Sequence, residues 1–214
     1  TVPAWACMLS GKDPGQLGIY GFRNRKDYSY DELCTANSRS VTEPRIWNLL
    51  ARQRKRSILV TVPQTYPVEP MAGLCVGCFL TPDTAADYTY PRELKAEIES
   101  ISNGFIIDTH DFRTDDKDRL LKDIYEMTDK QFTVIIHLLK KYEWDFFMSV
   151  QMGVDRIQHA FWKYCDPDHP AFVPGNPYEH VIRDYYIHID LKIGELLELF
   201  DRDTVVMVVS DHGA

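Results

Sequence analysis

Two pairs of aspartate and histidine stand where an α/β sheet places a reactive centre. Asp211 and His212 lie in Ser210-Asp211-His212-Gly213-Ala214, directly after the apolar run Thr204-Val205-Val206-Met207-Val208-Val209, which reads as a fully buried strand. Asp155 and His159 follow a second run of this kind, Trp144 to Gln151. Their spacing of four puts both side chains on one face if the segment is helical. Ligands in open α/β sheets bind outside the carboxyl ends of the strands, and a carboxylate oxygen beside an imidazole nitrogen is a donor set for divalent metal. Each pair alone has a plain alternative, since an aspartate after a strand can cap a helix and a histidine can pack at its side. Two such pairs at two strand ends point instead to a two-metal hydrolytic centre.

A third candidate is Thr1, ahead of Val2-Pro3 and a short helical pattern from Pro3 to Ser10 that Gly11 closes. A hydroxyl at a helix start faces unpaired backbone N–H groups and the positive end of the dipole, which favour an alkoxide and an anionic phosphoryl group. A bound metal lowers the hydroxyl's pKa further.

The elements that must position these residues alternate between helix and strand. Helical spacing is present in 43–54, in 91–100, through 115–141 and in 178–200, and strand-like runs fall at 57–63, near 74–80, at 105–107, at 144–151 and at 204–209. This alternation predicts an α/β fold with a largely parallel sheet flanked by helices. The stretch from Gly11 to about Ser40 reads as one long loop bordering the site.

Composition narrows the function. The 214 residues are 44% hydrophobic, enough for the core of one sizeable domain. A net charge of -8, from 24 basic and 32 acidic residues, excludes a broad electrostatic footprint for nucleic acid or anionic lipid. A phosphate-bearing substrate therefore calls for local positive charge of the kind metal ions supply. The five cysteines are odd in number and scattered, which fits a reducing, cytoplasmic setting, and Cys75-Val76-Gly77-Cys78 reads as buried structure because no second C-x-x-C completes a zinc site. His137 among Ile135, Ile136, Leu138 and Leu139 reads as a core or edge histidine, and the basic run Arg52 to Arg56 as a solvated helix end. No apolar run reaches the roughly 18 residues of a membrane span. The chain begins with Thr1 and stops just after a strand-like run, so it is expected to be a segment, truncated at both ends, of a longer protein.

Thr1-Val2-Pro3-Ala4-Trp5, with Ser10-Gly11-Lys12-Asp13-Pro14-Gly15-Gln16-Leu17-Gly18-Ile19, resembles the nucleophile segment of type I phosphodiesterases and nucleotide pyrophosphatases of the alkaline phosphatase superfamily. Asp155-Arg156-Ile157-Gln158-His159 and Ser210-Asp211-His212-Gly213 are similar to two of its metal motifs. The resemblance is greatest to a prokaryotic branch of predicted phosphohydrolases, through Val62-Pro63-Gln64-Thr65-Tyr66-Pro67, Gly77-Cys78-Phe79-Leu80-Thr81-Pro82 and Ile193-Gly194-Glu195-Leu196-Leu197.

It implies an alkaline-phosphatase-like sheet and two divalent ions, usually zinc, with manganese or iron acceptable to the same donors. Asp155 and His159 would hold one ion, and Asp211 and His212 the other. Thr1 would be the nucleophile that forms a phosphothreonine intermediate from a small phosphate ester. The family pattern also includes an aspartate before the nucleophile and a histidine well after D-H-G, which leaves each metal site here one protein ligand short. Its phosphoryl-binding asparagine falls at Phe22 by spacing, with Arg23 and Asn24 as neighbouring substitutes. Two rival readings remain: an N-terminal-threonine hydrolase using its own α-amine as base, and a binding module that keeps the sheet without catalysis.

Overall fold

The run Ser57-Ile58-Leu59-Val60 is buried at every position, as a strand covered on both faces must be. A computed structural model of the chain describes residues 1–27 and 29–213. Tyr28, in the long loop, and Ala214, which closes the Ser-Asp-His-Gly-Ala run, lie outside the described residues. In chain order the elements are α1 (Val2–Ser10), α2 (Pro14–Leu17), β1 (Arg23–Arg25), β2 (Leu33–Thr35), α3 (Ile46–Arg52), β3 (Ser57–Val60), β4 (Gly73–Val76), β5 (Thr89–Tyr90), α4 (Leu94–Ser102), α5 (Lys117–Lys141), β6 (Phe146–Ser149), α6 (Met152–Cys165) and α7 (Val181–Leu197).

The main sheet has the order β5-β4-β3-β6. Strand β3 pairs in parallel with β4 and with β6, while β5 joins β4 antiparallel. Alternation along the strands sorts two cores. Ile58, Val60, Leu74 and Val76 face a cluster that includes Ile124, Ile135, Leu138, Ile157, Phe161 and Tyr185, which α5, α6 and α7 supply. Leu59 and Cys75 point the other way, to Trp5 and Leu9 of α1 and Trp47 of α3. The predicted α/β fold with a mostly parallel, helix-flanked sheet is what the structure shows, and it is consistent with an alkaline-phosphatase-like fold.

Three local features set the position of the site. Helix α1 ends as its sequence requires, with Gly11 left-handed at φ 68° and its N–H bonded to the Cys7 carbonyl at 2.8 Å. Strand exits are tied together where the Thr61 hydroxyl, on a left-handed residue at φ 57°, donates to the Val150 carbonyl at 2.7 Å. Helix α6 approaches α7 closely because Gly153 has no side chain: a Cβ there would lie 1.9 Å from the Tyr185 hydroxyl oxygen, itself 2.8 Å from Thr128 Oγ1.

Two predicted strands are not strands. Phe105 and Ile107 are buried, yet the carbonyls of Ile106 and Ile107 accept from the Gln131 side chain at 3.1 and 3.2 Å, so the segment needs no ladder. The run 204–209, expected as a fully buried strand, forms no strand and is largely solvent-facing, with Val205 84% and Val208 83% exposed. Valine content measures a demand for burial. Meeting it takes ladder partners, and among the described residues β6 stands at that end of the sheet with β3 as its only neighbour. The long loop contains the antiparallel β1/β2 hairpin, which sequence reasoning missed because Arg23-Asn24-Arg25 has no apolar alternation.

His137 is a half-buried edge residue bonded to Glu97 Oε1 at 2.6 Å. Cys75 and Cys78 are buried, and burial, with Cys78 adding to it, pushes the Cys75 thiol up to about 12. That is the wrong direction for a thiolate ligand or redox group. No helix among the described residues is long and apolar enough to cross a membrane.

Candidate active site

Strand β6 ends at Ser149 and α6 begins at Met152, so Asp155 falls in the first turn of the helix, beside its positive end. One turn later His159 places Nε2 3.3 Å from Asp155 Oδ1. The second pair arrives from the far end of the chain. His212 Nε2 lies 3.4 Å from the same Asp155 Oδ1 and 3.7 Å from Asp211 Oδ2. The two imidazole rings have centroids 6.4 Å apart. Asp211 Oδ2 is in turn 3.6 Å from the Thr1 backbone nitrogen. Thr1 is the N-cap of α1, and its side chain makes no capping bond. The five residues singled out in the sequence as nucleophile and metal ligands thus converge at one edge of the fold.

Protonation geometry favours ligation at His212. Its Nδ1 is 2.7 Å from the Gly213 carbonyl oxygen. A carbonyl only accepts, so Nδ1 carries a proton, and the tautomer with that proton is the one whose Nε2 can ligate. The donor set also carries an orphan: Asp211 Oδ2 is buried without a hydrogen-bond partner, on a side chain 14% exposed. Such an oxygen fits a cation, since leaving it bare costs stability. The donors come as two halves, one carboxylate and one imidazole in each. Among the described residues no group of three or more His, Cys, Asp or Glu side chains is arranged so that it could hold a metal ion.

Arg23 and Asn24 lie on β1. Asn24 closes its own turn, its Oδ1 accepting from Tyr20 N at 2.8 Å and its Nδ2 donating to the Gly21 carbonyl at 2.9 Å. Phe22 packs edge-on against Phe79 with ring centroids 6.1 Å apart. One interaction at the site had no signal in the sequence. Arg156, beside Asp155, reaches Asp108, which is 48 positions away in the chain. Burial works against its charge, but Asp108 and then Asp155 hold the guanidinium above its usual range.

A helix-flanked, mostly parallel sheet is consistent with an alkaline-phosphatase-like α/β fold. The family is more specific. The model for type I phosphodiesterase / nucleotide pyrophosphatase matches residues 1–214, and the chain belongs to this hydrolase family. No curated protein and no solved structure matches it significantly.

Proposed function

We propose that the chain is a metal-dependent phosphohydrolase that cleaves phosphodiester or pyrophosphate bonds of a small substrate through a phosphothreonine at Thr1. The observation that carries this reading is the convergence of Thr1, Asp155, His159, Asp211 and His212 from the start, the interior and the far end of the chain.

In this reading residues 1–214 act as one α/β domain. Asp155 with His159, and Asp211 with His212, would each hold a divalent ion, zinc first among candidates and manganese or iron compatible with the same donors. Bound ions would supply positive charge for the phosphoryl oxygens and lower the pKa of a nearby hydroxyl. The chain's own contribution begins with the N-terminal start of α1, whose free N–H groups and dipole favour an anionic phosphoryl group. The Thr1 oxygen forms a bond to phosphorus, the bond to the leaving oxygen breaks, and the hydroxyl proton is lost to water. Water then cleaves the phosphothreonine to regenerate Thr1.

In the full-length protein, Thr1→Ala is expected to abolish turnover of bis(4-nitrophenyl) phosphate while leaving metal content largely intact. Unchanged turnover overturns the nucleophile assignment. An N-terminal-threonine mechanism leaves both Asp/His pairs without a role, and their convergence on Thr1 favours the metal-dependent route. Absence of bound ion after addition of zinc or manganese would instead favour a binding module.

A further inference from the structure

Asp155 has two carboxylate oxygens with separate occupations. Oδ1 faces the imidazoles of His159 and His212, at 3.3 and 3.4 Å. Oδ2 accepts from Arg156 Nη1 at 2.9 Å. The Arg156 guanidinium is itself held on a different edge, with Nε donating to Asp108 Oδ1 at 2.9 Å and Nη2 donating to Asp108 Oδ2. Asp108 Oδ1 also accepts from Thr109 N at 2.8 Å, and the guanidinium carbon lies 4.3 Å from the centroid of the Phe112 ring. Arg156 is 8% exposed. The fork therefore cannot turn without losing a two-bond carboxylate contact and a ring contact.

We propose that Asp108 and Arg156 are positioning residues: they clamp Asp155 through Oδ2 and so leave Oδ1 as the oxygen offered to a metal ion. The geometry explains why two acidic groups share one arginine. With its Nε/Nη2 edge committed to Asp108, Arg156 has one nitrogen left for Asp155 and takes one oxygen. Without Asp108 the same fork could grip Asp155 by both oxygens and withdraw it from a metal. Carboxylate ligands oriented in this way lose about 10–100-fold in metal affinity or activity when their supporting partners are removed.

This inference rests on the metal-binding reading above, and the test separates the two. Zinc affinity of the full-length protein is measured by competition with a chromophoric chelator, alongside thermal unfolding by circular dichroism. The double variant Asp108→Asn/Arg156→Gln removes the clamp without changing net charge, so an effect on affinity reports orientation. It is expected to bind zinc about 10–100-fold more weakly. Arg156→Lys keeps the charge, cannot hold both carboxylates by a fork, and is expected to fall in the same direction. A merely structural role would lower the unfolding temperature and leave the affinity of the folded protein unchanged. Zinc affinity within twofold of the parent in the folded double variant overturns the clamp, and if that variant does not fold, Arg156→Lys decides by the same criterion. If Asp155→Asn weakens zinc binding while the clamp variants do not, the metal reading stands and the clamp falls. A parent protein that takes up no zinc overturns both.

Discussion

The two halves of the candidate site are built in opposite ways. Asp155 and His159 ride on a 14-residue helix whose Ile157, Ala160 and Phe161 are buried in the main core. Asp211 and His212 sit on a segment outside the helices and strands whose preceding valines face solvent, and they meet the rest of the site through Asp155 and Thr1. The first half is preorganised by packing, which acts over a large buried area whether or not a ligand is present. In the second half, His212 makes contacts of 3.4 and 3.7 Å to Asp155 and Asp211 at the site. In the proposed metal-dependent reading, an ion would therefore have more ordering left to do at Asp211 and His212 than at Asp155 and His159.

This contrast makes its largest prediction at Phe161. The side chain is fully buried, so Phe161→Ala is expected to cost about 3–5 kcal/mol in urea unfolding and to weaken zinc binding by loosening the helix that carries Asp155. Retained affinity in a destabilised but folded variant would mean that packing of α6 does not orient its ligands. Next is His212→Ala. Because the ring is on the exposed segment, unfolding stability is expected to stay within about 0.5 kcal/mol of the parent, while zinc stoichiometry falls. A large stability loss would show that the tail is a packed part of the fold.

The smallest effect on zinc affinity is expected at Glu97, which ties α4 to α5 and whose removal costs stability at neutral pH. Burial opposes its ionisation, but bonds from Lys141, His137 and Tyr142 hold the carboxyl down at about 2, against 4.5 ordinarily. A lowered folded-state pKa gives stability that is complete above the ordinary value and is lost as pH falls toward the lowered one. Glu97→Gln should therefore flatten the stability profile between about pH 4.5 and 2 and leave zinc affinity at pH 7 unchanged. An altered affinity at pH 7 would connect this distant network to the site.

Much of the fold was legible in the residues. Helix α5 announces itself by Leu120, Ile124, Ile135 and Leu138 on one side, and β3 by an unbroken apolar run. Helix α1 is bounded by Pro3 and Gly11, whose backbone preferences act locally. Other readings failed where an apolar pattern was equated with strand pairing. Around 105–107 the burial is real, but Gln131 supplies the hydrogen bonds that a ladder would have made. At 204–209 the pattern is apolar while its setting is not.

The sequence by itself determined which groups could ligate metal or attack phosphorus, and it placed Asp155 and His159 on one helix face, because helical spacing is a local property. Only the tertiary structure decided that His212 shares an oxygen of Asp155 with His159, that Asp211 comes to Thr1, and that Asp108 holds Arg156. Those partners lie far apart along the chain, and their meeting depends on how sheet and helices pack, which no local pattern encodes.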